Sequence, residues 1–137
     1  MDKARNLLDN IPSDFPQDTP VFMTNLLRFH DQAQYPEGSA HPPCSGREAW
    51  VVRYVKEFRR LATEAGGFDL VYLGLPASKI VGEHSEDWDA VALVKYTNIE
   101  TFRKTLGSDD YAATALEHRD AALKDWKLIA STEVKLQ

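Results

Sequence analysis

Residues 66–96 constrain the fold of this chain more than any other stretch. Two glycines precede residues 68–75, which are rich in types that favour β-strands, and a polar turn separates them from a second such run at 88–96. This pattern predicts the central hairpin of a sheet. The second run is apolar on both of its faces, so we expect both sides of the sheet to be covered.

Two helical regions flank the hairpin in the sequence. The first spans residues 45–65 and begins with the capping-box pattern S-x-x-E. The second is divided into a short helix over residues 99–106, which Asn98 caps, and a helix that runs from Ser108 to about Lys124. The three- and four-residue spacing of the first helix predicts a buried stripe of Val51, Tyr54, Val55, Phe58, Leu61, Ala62 and Ala65.

Two further strands complete the element order. Residues 21–29 alternate with a period of two, and a final strand is predicted from Trp126 to about Val134. The order β-α-β-β-α-β predicts an α+β, ferredoxin-like domain, in which a four-stranded antiparallel sheet carries both helices on one face. We place this domain at residues 20–137, after an N-terminal arm at 1–19, either docked or loose, that Pro12, Pro16 and the following Pro20 keep irregular. The long loop at 30–44 is interpreted as either a lid or a surface feature.

The pattern also predicts a partner. Two helices cover one face of the sheet, yet the strands at 21–29 and 88–96 are apolar on both faces. A monomer would leave a large apolar surface in water, which soluble monomers rarely do. We therefore expect a homodimer that packs sheet against sheet around a two-fold axis.

Charge and cysteine content limit the classes of partner and the cellular locations that we expect for this chain. Sixteen Lys and Arg residues against 21 Asp and Glu residues give a net charge of −5, which argues against a nucleic-acid partner. Cys44 is the one cysteine, so no internal disulfide forms, and a cytoplasmic location is expected. The charged first ten residues do not resemble a signal peptide, and no apolar run approaches the roughly 18 residues of a membrane span.

Several short motifs, taken in order, resemble one known family. The resemblance covers residues 20 to about 130 and points to the DUF1330 family of the dimeric α/β-barrel superfamily. It implies a ferredoxin-like fold that pairs into a dimeric barrel, and it implies no particular activity. The motifs are Asn25-Leu-Leu-Arg-Phe, Ala65-Gly-Gly, Gly82-Glu83, Trp88-Asp89, Ser108-Asp-Asp-Tyr111-Ala-Ala and His118-Arg119-Asp-Ala-Ala.

Within this fold we expect one pocket per subunit, between the sheet and the helices, for a small and partly apolar organic ligand. Tyr111 and His118 are seven residues apart, so they share a face of a regular helix. A histidine transfers protons near neutral pH, a tyrosine hydroxyl donates to an oxyanion, and an arginine binds a carboxylate. The candidate catalytic residues are therefore His118, Tyr111 and Arg28, and the candidate ligand-binding residues are Asn25, Arg119 and Trp88.

Structural roles are the alternative for the same residues. His118 and Arg119 would then hold the helix to the sheet or to the partner chain, and Trp88 would be a core side chain against Phe68 or Tyr72. If the chain is an enzyme, we expect cofactor-independent proton transfer or oxygenation. The other hypothesis is a non-catalytic binding module or a structural dimer module. We expect no cofactor and no metal, because the sequence holds no nucleotide-binding, nucleophile-elbow or zinc-ligand spacing.

Overall fold

The computed structural model describes residues 4–137, so the first three residues of the predicted arm lie outside the described part. Four strands form one antiparallel sheet in the order β2-β3-β1-β4. This order and the helices that pack on the sheet confirm the predicted α+β fold. The strands are β1 (Val21–Phe29), β2 (Phe68–Gly74), β3 (Ala90–Tyr96) and β4 (Leu123–Ser131).

The helices begin where the sequence places their caps. The side chains of Ser45, Asn98 and Ser108 each accept a hydrogen bond from the amide three residues later. The first helical run has three parts: α1 (Gly46–Glu48), a π-helical segment (Ala49–Tyr54) and α2 (Val55–Glu64). The second region contains α3 (Ile99–Leu106), α4 (Asp109–Thr114) and α5 (Leu116–Ala122), and a short 3₁₀ turn lies at Leu7–Asn10.

The two faces of the sheet have different environments. On the helix face, alternate residues of β1 and β3 are buried, from Val21 to Leu27 and from Ala90 to Tyr96. On the other face, which we call the open face, the intervening residues keep partial exposure. The open face includes Phe22, Thr24, Leu26, Val91 and Leu93.

The π-helical segment corrects the predicted stripe of the first helix. Val51 was placed on the buried stripe, but its side chain is 38% exposed, whereas Trp50 is 9% exposed. The wider turn rotates the following residues relative to a regular α-helix. As a result Trp50, Tyr54 and Phe58 stack in a row, with neighbouring ring centroids 5.7 and 5.9 Å apart.

Two predicted element boundaries, the end of α5 and the start of β4, are wrong. Helix α5 ends at Ala122 rather than near Lys124, and β4 begins at Leu123 rather than at Trp126. Leu123 is 1% exposed and pairs with Phe29, so pairing with β1 extends the strand through the polar pair Lys124-Asp125. The sequence did not indicate this start, because Lys124 and Asp125 are polar and the pairing that extends the strand is a long-range contact.

Trp88 lies on the opposite side of the sheet from its predicted position. We expected it to share a face with Ala90, but β3 begins only at Ala90, and the alternation does not extend back to Trp88. The cationic groups of Arg28 and Lys127 lie over the Trp88 ring, at 5.2 and 5.6 Å from its centroid. Trp88 therefore packs beside the open face and not in the core between sheet and helices.

Both irregular segments of the N-terminal half pack against the domain. In the arm, Leu7, Leu8, Ile11 and Phe15 contact the core cluster. The loop at 30–44 is fastened to α5, since the His30 amide donates to the Ala122 carbonyl at 2.9 Å and the Gln34 amide donates to the Ala121 carbonyl at 2.8 Å. The arm is thus docked, and the loop is a surface feature that lies against α5.

Candidate functional site

A cavity of about 190 Å³ lies between the helix face of the sheet and the first helical run. We call it the inner cavity. Protein interiors are otherwise close-packed, and an engineered cavity of roughly 150 Å³ accommodates benzene. The walls are mainly aliphatic and aromatic, and the side chains among them that carry a hydrogen-bonding group are Asn25, Trp50, Tyr54, Arg59, Tyr96 and Trp126. The space suits an apolar group of about one ring.

The inner cavity opens between the first helical run and β2. Its exposed wall residues are Val51 and Arg59 on the helix side, with Leu70 and Leu73 on the strand side. The buried wall residues come from the middle of the sheet, from the first helical run and from α3. β2 is an edge strand, so no neighbouring strand covers this opening.

A chain of hydrogen bonds begins at the wall of the inner cavity and runs into the protein. The hydroxyls of Tyr54 and Tyr111 are 2.8 Å apart, and Arg119 Nη1 donates to Tyr111 Oη at 3.2 Å. Arg119 is 5% exposed, and its guanidinium also lies over the Trp126 ring, 5.3 Å from the centroid. Two of the predicted site residues, Tyr111 and Arg119, thus stand behind the cavity wall rather than on it.

The polar groups of Asn25 are fully engaged. Its Nδ2 donates to the carbonyls of Met23 and Ala92 at 3.3 and 3.4 Å, and its Oδ1 accepts from Trp126 Nε1 at 3.1 Å. Asn25 lines the inner cavity, as expected for a ligand-binding candidate. Its hydrogen bonds also join β1 to both neighbouring strands, so it shapes the wall and offers a ligand little free hydrogen-bonding capacity.

The tyrosine hydroxyls at this wall are neutral at ordinary pH. Burial raises the pKa of Tyr54 and of Tyr96 well above the usual value of 10.0, and burial also raises the pKa of Tyr111. Neutral hydroxyls donate as well as accept hydrogen bonds, and they carry no charge that would attract a cationic ligand. The wall therefore presents donors to whatever occupies the cavity.

His118 is separated from the inner cavity and belongs to a cluster with the 30–44 loop. The Tyr35 hydroxyl and His118 Nδ1 are 2.7 Å apart, and the rings of His41 and His118 lie 4.5 Å apart. His41 Nε2 in turn is 3.3 Å from a carboxylate oxygen of Glu117. The break between α4 and α5 separates Tyr111 from His118, so these two side chains have different neighbours despite their seven-residue spacing. No residue of this cluster lines the inner cavity.

Arg28 is directed away from the inner cavity as well. Its Nε donates to the Asp87 carbonyl at 2.7 Å, and its Nη2 donates to the Ser85 carbonyl at 3.1 Å. Together with the Trp88 contact, these bonds hold the segment between β2 and β3 against the end of β1. The structure thus divides the predicted site residues among three places: the cavity wall and its support, the His118 cluster, and the edge of the open face.

Five wall residues that carry a hydrogen-bonding group were not among the predicted site residues: Trp50, Tyr54, Arg59, Tyr96 and Trp126. Tyr96 and Trp126 had been assigned only to strands, and Arg59 only to the span of the first helix. Trp126 reaches the wall because β4 pairs with β1 and thereby sets Trp126 opposite Leu27. Only the register of that pairing would have identified it.

Two other features are absent from residues 4–137. No group of three or more His, Cys, Asp or Glu side chains in this part is placed to hold a metal ion. No helix of the same part has the length and apolarity that crossing a membrane requires.

The position of His118 predicts a pH dependence of stability. Burial, followed by the nearby His41, lowers the pKa of His118 below its usual 6.5. The unfolded chain therefore binds this proton more readily, so stability is lost as the pH falls from 6.5 towards the folded pKa. We expect His118→Asn to lose less stability than the native chain between pH 7 and pH 5.5 in urea unfolding.

His84→Asn is the matched control for this effect, because His84 is exposed. It should follow the native pH dependence. Parallel curves for the native chain and His118→Asn would contradict the assignment.

Two solved structures are similar to this chain over most of its length. One, described as the crystal structure of methylated RPA0582 protein, is 28% identical, with a TM-score of 0.76 over 87% of this chain and 84% of that chain. The other, an RPA0582 protein of unknown function from Rhodopseudomonas palustris, is 27% identical, with a TM-score of 0.76 over 88% of this chain and 86% of that one. No protein-family model and no curated protein matches the sequence, so the resemblance to the DUF1330 family stays a prediction. The solved structures share the fold described above.

Proposed function

We propose that this chain binds a small, mainly apolar organic molecule in the inner cavity. The observation that carries this proposal is the cavity of about 190 Å³ inside an otherwise packed core. Its aromatic walls suit a ring or a short branched chain, and its few polar groups suit one or two oriented hydrogen bonds. An apolar void of this kind loses dispersion contacts unless something fills it.

Binding is favoured over catalysis by the position of the candidate acid and base. His118 is hydrogen-bonded to Tyr35 in the cluster beside α5, and none of the inner-cavity wall residues is a histidine or an acid. General acid–base catalysis needs such a group within hydrogen-bond reach of the substrate. The proposal is therefore a binding function, which does not require His118.

The proposal is tested by filling the inner cavity from its helix side. Val55 lines the cavity, whereas Val52 lies on the same helical run, is 57% exposed and does not line it. We expect the fluorine resonance of 4-fluoroanisole to broaden and shift with the native chain and with Val52→Phe. We expect Val55→Phe to abolish both changes, because its added ring occupies the ligand's space.

Circular dichroism checks that both variants fold. Equal binding of 4-fluoroanisole by Val55→Phe and Val52→Phe would place the ligand elsewhere. Absence of binding to the native chain would remove the proposal for ligands of this size.

We further propose that the chain acts as a homodimer through the open face. In support, this face combines the apolar side chains of β1 and β3 with Tyr72 on β2, 59% exposed, and Ile129 on β4, 55% exposed. A continuous apolar surface of this kind marks an interface. Sedimentation equilibrium should give twice the mass of one chain, and a single-chain mass would refute the dimer.

A cytoplasmic location stays a prediction.

A further inference from the structure

We infer that the ligand of the inner cavity is a small organic acid, with an apolar ring inside, a hydrogen-bond acceptor at the inner end, and a carboxylate at the mouth beside Arg59. The inference rests on the proposed binding function and names the chemical class of its ligand. Three observations carry it: the charge of the mouth, the lack of a partner for that charge, and the donors at the inner end.

The mouth of the inner cavity carries one sign of charge. Arg59 is the single charged residue among the wall residues, and it lies on the exposed side together with Val51, Leu70 and Leu73. The remaining walls are uncharged. A ligand that enters between α2 and β2 thus meets a cation at the rim and apolar surface beyond it, which is complementary to an amphiphilic anion.

Arg59 has no ionic partner within residues 4–137, whereas its neighbour Arg60 has several. Arg60 Nη1 is 2.9 Å from Asp110 and Arg60 Nη2 is 2.9 Å from Glu57. The sequence explains the difference, because the positions three and four residues from Arg59 hold Val55, Lys56, Ala62 and Thr63, and none is acidic. The planar guanidinium of Arg59 keeps its donors for a carboxylate, which it can bind with two parallel hydrogen bonds.

The hydrogen bonds among Arg119, Tyr111 and Tyr54 determine which hydroxyl can donate to a ligand at the inner end of the cavity. Arginine only donates, so Tyr111 Oη accepts from Arg119. Tyr111 is fully buried, and its own hydrogen is satisfied if it donates to Tyr54 Oη, 2.8 Å away. The Tyr54 hydrogen is then left for the cavity.

A second donor stands beside Tyr54. Tyr96 lines the inner cavity, is 3% exposed, and its hydroxyl makes no hydrogen bond with any residue of the described part, 4–137. The Tyr96 oxygen is not fully enclosed, so a ligand oxygen in the cavity can reach its hydrogen and accept a hydrogen bond from it. The two hydroxyls together select an acceptor such as an ether or carbonyl oxygen.

Four para-substituted benzenes test the inference by calorimetry at low salt. 4-Methoxybenzoate has one ring, an inner ether oxygen and an outer carboxylate. 4-Methoxybenzamide removes the charge, 4-methoxybenzylamine reverses it, and 4-ethylbenzoate replaces the ether oxygen with a methylene group. We expect the native chain to bind the methoxy acid about tenfold more tightly than the amide, as for a charge-assisted hydrogen bond, and to bind the amine least.

Variants assign each end of the ligand. Arg59→Gln should bind the acid and the amide with equal affinity. Lys56→Gln, which removes a charge from the same helix outside the cavity wall, should keep the native preference. Tyr96→Phe should reduce the preference for 4-methoxybenzoate over 4-ethylbenzoate.

The outcomes separate this inference from the proposed function. Equal binding of the acid and the amide by the native chain, or an unchanged preference in Arg59→Gln, would overturn the inference while the amide still demonstrates a binding cavity. Failure of all four compounds to bind would overturn the inference, and it would overturn the proposed function as well if 4-fluoroanisole also fails to bind.

Discussion

Gly46→Ala should unfold the protein at a temperature about 10 °C lower than the native chain, although alanine is the better helix former. Gly46 is buried at the start of α1, and a Cβ built there would lie 2.1 Å from the carbonyl oxygen of His30 and 2.8 Å from that of Ala122. Both are backbone atoms, so no change of rotamer relieves the collision. We expect a loss of about 3 kcal/mol, at the upper end for overpacking, and hence the shift in temperature.

Destabilisation by Gly46→Ala would be diagnostic of tertiary packing, because the same substitution has the opposite effect in an isolated helix. In a helix without tertiary contacts, replacing glycine with alanine would stabilise by roughly 0.5–1 kcal/mol. Gly46 is where β1, the 30–44 loop and α5 converge, and its amide donates to His30 at 3.0 Å. Arg47→Ala, at the next and exposed position, is the control and should leave the unfolding temperature nearly unchanged. A stabilised Gly46→Ala would show that the three segments do not meet as described.

Arg119→Ala should be the second strongly destabilised variant, with a loss of about 3 kcal/mol in chemical denaturation. The substitution removes the hydrogen bond to Tyr111, the contact with the Trp126 ring, and the volume of a side chain that is 5% exposed. Large-to-small changes in a core typically cost about 2–5 kcal/mol, because the surroundings relax only in part. The emission of Trp126 should change as well, since the cation over its ring is lost.

Arg103→Ala is the control for Arg119→Ala, because it removes the charge of an arginine whose side chain is not buried. Its side chain is 31% exposed and pairs with Glu100 at 2.8 Å on α3. Partly exposed pairs of this kind contribute about 0.2–1 kcal/mol, so this variant should lose far less than Arg119→Ala. Similar losses for the two variants would indicate that Arg119 contributes only a surface charge.

The site around Arg119 could be predicted from the sequence only in part. Tyr111 and Arg119 were chosen for their chemistry, and the structure does bring them together, at 3.2 Å. Their neighbour Tyr54 was assigned only to the buried stripe of the first helix. The hydroxyl contact between Tyr54 and Tyr111 joins residues 57 positions apart, so helical periodicity could not indicate it.

His118 and Arg28 show the opposite outcome. Each has the right chemistry for a site, but each bonds to an irregular segment: His118 to Tyr35 in the 30–44 loop, and Arg28 to Ser85 and Asp87 before β3. The path of an irregular segment follows from packing against the finished domain, not from a repeating pattern. Candidate residues that face such segments are therefore the least predictable from sequence.

Local signals in the sequence were sufficient for the element order, for the bounds of β1 (Val21–Phe29) and α3 (Ile99–Leu106), and for the three helix caps. These features depend on contacts within a few residues: the alternation of a strand, the stripe of a helix, and a side chain that accepts from an amide three positions later. The α+β fold then follows from the order of the elements.

Tertiary packing alone decided the π-helical turn that buries Trp50, the early start of β4 at Leu123, and the walls of the inner cavity. Each arises from contacts between residues far apart in the chain, such as Asn25 with Trp126, which are separated by 101 positions. The hairpin of residues 66–96 shows both kinds of control: its alternation specifies two strands, but only their place in the sheet makes β2 the edge beside the cavity mouth. Local patterns specify which residues face inward, and long-range pairing specifies what they meet there.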